Sequence, residues 1–262
     1  MNRRTLVLIS CALTASTATT AGAAGVSLTT IGSVYALNFD TLASSGTNNT
    51  VVPSGWAFSE SGVNANTGYT AGTGSSNTGD TYSFGAAGSS ERAFGALQSG
   101  SLVPTIGAEF TNNTLAAITS LTISYTGEQW RAGVLNRNAA DRLDFQLSTN
   151  ATSLITGTWV DYNSLDFSSP NINAAPGALD GNAALNRTAL SFLISGLSVA
   201  DGSSFWIRWL SSDIPGADDG LAIDNFSLTP NGTPGSSVPE PGTLALLGLG
   251  LAGLGLSRRR KA

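Results

Sequence analysis

The side chains here that could do chemistry are carboxylates. The 262 residues hold 17 Asp and Glu, no His and a single Cys, Cys11. Without imidazole, and with one thiol near the N-terminus, no Ser-His-Asp triad, Cys-His pair or histidine zinc site can be assembled. A glycosidase needs only two acids roughly 5–9.5 Å apart. The acids are scattered along the chain, however, and the expectation is a protein that is not an enzyme.

Two constellations suggest binding. Glu128 and Trp130, and Trp206 and Arg208, sit opposite the apolar alternation of their strands. If those strands are neighbours, two indoles flank a Glu–Arg pair, and aromatic planes beside charged hydrogen-bonding groups suit sugar rings. Otherwise the two indoles fill space beneath a loop and Glu128 pairs with Arg131 or Arg208. Asp213, Asp218 and Asp219 crowd one loop, Asp224 follows on the last strand, and Asp40 lies near the start of the first strand, which in a jelly roll is often beside the last. Oxygen ligands of this kind suit Ca²⁺ over a transition metal. The same acids also fit a solvated acidic turn. Asp180-Gly181-Asn182 reads as a turn. No cofactor is required by these residues, and Ca²⁺ is the one they suggest.

The elements that must position these groups are strands. Leu121, Ile123 and Tyr125 alternate with polar residues, as do Leu143, Phe145 and Leu147. Phe205, Ile207 and Trp209 share one face, and Leu221 and Ile223 lead to Phe226 and Leu228. A period of two marks half-buried strands. Further candidates are 35–40, 81–84, 92–97, 106–110, 158–162 and 188–194. About eleven strands predict an all-β domain, an antiparallel two-sheet sandwich of jelly-roll type, over residues 24–229. Long loops are expected at 60–80, 163–186 and 211–220, and a linker at 230–237.

Both ends read as targeting segments. Arg3 and Arg4 precede an apolar stretch and small residues, a secretory signal peptide over 1–23 with cleavage after Ala23. Cys11 leaves with it. Between the two ends lie six Arg, no Lys and sixteen acids, a net charge of −10. Such a surface repels nucleic acid, so no nucleic-acid partner is expected. At the C-terminus Val238, Pro239, Glu240 and Pro241 precede an uncharged Gly-rich run and then Arg258, Arg259, Arg260 and Lys261. The run from Thr243 to Leu256 makes roughly 21 Å of helix. That is short of the ~30 Å hydrocarbon core, but snorkelling Arg side chains complete a transmembrane helix over 243–257. The cations hold that end in the cytoplasm and leave the domain outside.

Pro-Glu-Pro, apolar helix and Arg cluster, in that order, resemble the PEP-CTERM sorting signal of exopolysaccharide-producing bacteria, over 238–262. The resemblance implies an exosortase-type membrane transpeptidase as partner, membrane attachment before processing, and delivery to the cell surface or extracellular polysaccharide matrix. Chemically the motif suits a substrate, because its prolines bar helix formation and keep the strand extended. The runs Tyr69 to Gly79, Tyr82 to Gly85, Ser90 to Gly95, Ser124 to Arg131, Leu179 to Asn182 and Gly220 to Phe226 resemble a β-sandwich module of secreted bacterial proteins, some of which carry a nuclease domain. That nuclease domain is not expected here, since the sandwich takes up the span and its catalysis would require histidines that this sequence lacks. The sequence therefore predicts a structural component of the cell surface or exopolysaccharide matrix, with a carbohydrate-binding module, Ca²⁺-stabilised or not, as the alternative.

Overall fold

The computed structural model describes residues 18–19, 25–136, 139–212 and 214–232. Ala23, Asp213, the sorting residues Val238 to Pro241 and the basic cluster Arg258 to Lys261 lie outside this range. So does the expected membrane helix. Among the described residues no helix is long and apolar enough to cross a membrane.

The chain folds into two eight-stranded sheets. The first contains β1 (Ala18–Thr19), β2 (Val26–Leu28), β4 (Trp56–Ser61), β8 (Val103–Asn112), β10 (Arg142–Ser148), β11 (Val160–Asp161), β12 (Phe167–Ser168) and β15 (Ser204–Ser212). Its order is β1-β4-β8-β15-β10-β11, with β2 on β8 and β12 on β10. The second contains β3 (Tyr35–Leu37), β5 (Thr70–Gly72), β6 (Asp80–Phe84), β7 (Ala93–Leu97), β9 (Ile118–Ala132), β13 (Gly177–Ala178), β14 (Arg187–Val199) and β16 (Gly220–Asn231). Its order is β13-β9-β16-β7-β6-β5, with β14 on β9 and β3 on β16. Pairing is antiparallel except for β2 on β8 and β5 on β6.

The alternating apolar residues face one another between the sheets. Trp56 of β4 and Trp209 of β15 stack at 6.0 Å, and Phe226 of β16 meets both edge-on at 5.2 and 5.9 Å. Phe94, Phe110, Phe145 and Phe205 complete a fully buried centre. Such ring pairs add about 0.5–1.5 kcal/mol each beyond their buried area.

Several boundaries differ from the sequence expectation. β16 pairs with β9 as far as Asn231, two residues into the expected linker. Ala18 and Thr19, inside the expected signal peptide, form β1 against Glu60 and Ser59 of β4. The expected loop 60–80 contains β5, and 163–186 contains β12, β13 and two short 3₁₀ turns, Asn163–Leu165 and Ala184–Asn186. These pieces are two or three residues long, and their partners define them.

Candidate functional site

The outer face of the second sheet carries three carboxylates in one place. Glu91 lies just before β7, Glu128 is on β9 and Asp224 on β16. One ligand-capable oxygen from each lies within 4.8 Å of those of the other two. Register explains the meeting. Ala222 of β16 pairs with Glu128 on one side and with Gly95 of β7 on the other, and Asp224 projects from the same face two residues on.

Each carboxylate has one oxygen held by a neutral side-chain donor. Asn182 Nδ2 donates to Glu91 Oε2 at 2.7 Å, Trp130 Nε1 to Glu128 Oε2 at 2.9 Å, and Asn225 Nδ2 to Asp224 Oδ2 at 2.6 Å. The other oxygens, Glu91 Oε1, Glu128 Oε1 and Asp224 Oδ1, are buried and accept no hydrogen bond. Burial pushes Glu128 up to about 8, with the Asp224 charge adding to it, and Asp224 up to about 7, where Glu91 and Asp40 add repulsion.

The neighbouring packing fixes this geometry. Trp130 stacks on Phe84 at 6.2 Å, and Phe84 on Tyr82 at 4.8 Å. The chain at Gly181 runs against the indole, where an added Cβ would lie 2.4 Å from Trp130 Nε1. Only glycine permits that approach, which brings Asn182 to Glu91. Asp180-Gly181-Asn182 is thus a turn, as expected, and also part of the site.

The four residues expected to form a sugar face do not come together. Glu128 and Trp130 are on β9 of the second sheet, while Trp206 and Arg208 are on β15 of the first. Trp206 packs with Ala57, Ala151 and Leu154 beneath the 149–159 loop. Arg208 donates to Gln146 Oε1 at 2.7 Å and to the Leu154 carbonyl at 2.5 Å, and lies 3.9 Å from the centre of the Trp159 ring. Glu128 pairs with Trp130, and Arg131 donates instead to the carbonyls of Gly74 and Ser75.

The expected metal set is also redrawn. Asp224 belongs to the cluster. β3 pairs with β16, as anticipated, so Asp40 follows a strand beside Asp224's own. Asp40 accepts the Arg92 backbone N–H at 3.0 Å and the Asn38 amide at 2.5 Å. Asp219 is spent elsewhere. It accepts from Gly133 N, Gln129 Nε2 and Ser169 Oγ at 2.7, 3.0 and 2.6 Å, and its own N–H donates to Asp141. Asp218 is buried next to it in the chain. Asp224 lies instead with Glu91 and Glu128.

A search of curated proteins found no match to this chain. Solved structures resemble it distantly. The CBM22-1 xylan-binding domain of Paenibacillus barcinonensis Xyn10C is 12% identical, with 79% of this chain and 99% of that one covered, at a TM-score of 0.37. The K3 cleaved adhesin domain of Lys-gingipain from Porphyromonas gingivalis is 10% identical, with coverage of 68% and 93%, at 0.36. A carbohydrate-binding module named TmCBM61, solved with β-1,4-galactotriose, is 12% identical, with coverage of 55% and 74%, at 0.30. Scores this low assign no ligand or role to this chain. Residues 237–261 match the PEP-CTERM protein-sorting motif, so the tail of this chain is a sorting signal.

Proposed function

We infer that this is a non-enzymatic β-sandwich protein that an exosortase-type transpeptidase delivers to the cell surface, where the sandwich serves as a structural component of the surface or its polysaccharide matrix. The carrying observation is the sorting motif over 237–261. The test compares the full chain with a variant in which Pro239, Glu240 and Pro241 are all alanine, in a host that has the sorting enzyme. The expected result is a shortened wild-type protein in the surface or medium fraction and an unshortened variant held in the inner membrane. Identical length and distribution of the two would refute the reading.

A second reading, carbohydrate binding, is favoured by one local arrangement. On the outer face of the first sheet, half-buried Trp159 lies over Arg208. Arg208 donates to Gln146, which donates to Asp161 Oδ1 at 2.6 Å. An aromatic edge continuing into a row of charged hydrogen-bonding groups suits a sugar chain. Glycan-array binding that disappears on Trp159→Ala and survives Trp130→Phe supports this reading. Absence of any binding by the wild type removes it.

A further inference from the structure

We propose that Glu91, Glu128 and Asp224 bind a Ca²⁺ ion on the outer face of the second sheet. The site does not depend on how the protein is sorted. Three observations converge on it.

The first is position. Ca²⁺ takes oxygens at about 2.3–2.6 Å, so any two of its ligands lie at most about 5 Å apart. The three carboxylates meet that limit. They come from three separate places in the chain, so the packing of the fold assembles them before any ion arrives.

The second is the pattern of hydrogen bonds. Each carboxylate has one oxygen fixed by a neutral N–H, from Asn182, Trp130 or Asn225. The second oxygen of each is buried without a donor. Glu128 and Asp224 are themselves 0% and 3% exposed. A buried oxygen left unpaired is costly, and a bound cation would offset that cost. Donors that orient ligands from behind are the usual support of a metal site.

The third is that the nearby arginines, Arg92 and Arg187, attract Glu91 and Glu128 only through space, and neither is hydrogen-bonded to the cluster among the described residues. Arg142 forms ion pairs with Asp144 and Asp166, away from the cluster. Arg92, near Glu91, gives its guanidinium N–H groups to Ser83 and the Gly72 carbonyl. Arg187 is opposite Glu128 on β14, but is exposed and only weakly attracts it. Asp40 adds a further negative charge facing Asp224.

An all-oxygen carboxylate set selects a hard cation, and a set without nitrogen or sulfur ligands disfavours Zn²⁺. Ca²⁺ tolerates the irregular geometry of a partly preformed site, whereas Mg²⁺ demands a near-ideal octahedron. The ion would join β7, β9 and β16 to the 180–182 turn.

The test uses the full chain in detergent. Thermal unfolding is followed in EDTA, in CaCl₂ and in MgCl₂. At Ca²⁺ one hundred-fold above Kd, the expected rise in Tm is about 5–10 °C, with a clearly smaller rise in Mg²⁺. Glu91→Gln and Asp224→Asn, which keep side-chain shape, should each abolish most of the rise. Tb³⁺ provides a readout on the wild type that does not depend on a variant folding. Trp130, bonded to Glu128, should sensitise Tb³⁺ emission, and Ca²⁺ should quench it by displacement. An unchanged Tm in Ca²⁺, a Ca²⁺ response that persists in both variants, or the lack of a Ca²⁺-displaceable Tb³⁺ signal would each overturn the proposal.

Discussion

Glu60 makes the fold less stable as pH rises, and Glu60→Gln should remove that dependence. The residue is 1% exposed at the end of β4. Its Oε1 accepts from the Thr81 backbone and hydroxyl, both at 2.8 Å, and Oε2 from Asn66 N at 3.0 Å. Burial outweighs these bonds, and Asp80 alongside adds to it, so the carboxyl is pushed from 4.5 up to about 7. The folded state therefore holds a proton that the unfolded state releases near pH 4.5. The stabilisation is complete below about pH 4.5, declines as pH rises and is lost above about 7. At 1.36 kcal/mol per unit the full swing is at most about 3 kcal/mol, and solvent screening makes about 1–3 kcal/mol the expected range. Urea unfolding of the wild type and Glu60→Gln at pH 4.5, 6 and 8 measures it. The glutamine variant carries a constant penalty, because its amide must face the Asn66 N–H, but it has no proton to lose. The stability of the wild type relative to the variant should thus fall by about 1–3 kcal/mol from pH 4.5 to 8. The comparison cancels groups that the substitution leaves alone, Glu128 and Asp224 among them. A difference that stays flat across this range, or one that rises, would refute the reasoning.

Other substitutions read out the packing around the two outer faces. Gly181→Ala places a methyl group against the Trp130 indole and should cost about 1–3 kcal/mol in urea unfolding, with a shift in tryptophan fluorescence. Leu154→Ala removes the side chain that seats the 149–159 loop on Ala57 and Trp206. It should cost about 2–4 kcal/mol and speed proteolysis within that loop. Deleting 238–262 should leave the urea midpoint of the domain unchanged while abolishing sorting, because β16 ends at Asn231. A lower midpoint would mean that the tail packs on the sandwich.

The strongly alternating segments were legible in the sequence because each carries its own signal. Leu121 to Tyr125, Leu143 to Leu147 and Phe205 to Trp209 are strands with the expected faces inward. β4 was not read, because both of its faces are buried. Ser59 and Glu60 lie inside along with Trp56 and Phe58, so apolar and polar residues do not sort by face. Partnership between strands was not legible at all. Trp130 and Trp206 share the same outward orientation relative to their own strands, yet β9 and β15 belong to different sheets. The cluster of acids was within reach. Ser90-Glu91-Arg92, Glu128-Gln129-Trp130, Gly181-Asn182 and Asp224-Asn225 all lie within runs that marked the sandwich module. Each pairs a carboxylate or its donor with the turn or strand that aims it, but only the register of β7, β9 and β16 shows that they converge.

What the domain offers to a partner follows from the covering of both outer faces. On the first sheet the 149–159 loop lies over Trp206, which is 6% exposed. On the second, the Gly181 turn lies over Trp130, which is 1% exposed. Stacking on a sugar requires an accessible ring face, so neither indole is a sugar platform unless its loop moves. Contact through an aromatic ring then falls to the edge near Trp159, where Arg208 already lies over the ring, and to Phe192 of β14, which is 36% exposed. Exposed apolar side chains elsewhere, such as Leu185, Val160 and Leu193, project from different strands and loops. Single exposed side chains are ordinary for a soluble surface and need no partner. An anionic exterior with both buried indoles covered accords with the structural role proposed above. The sorting tail then supplies the address that the sandwich lacks.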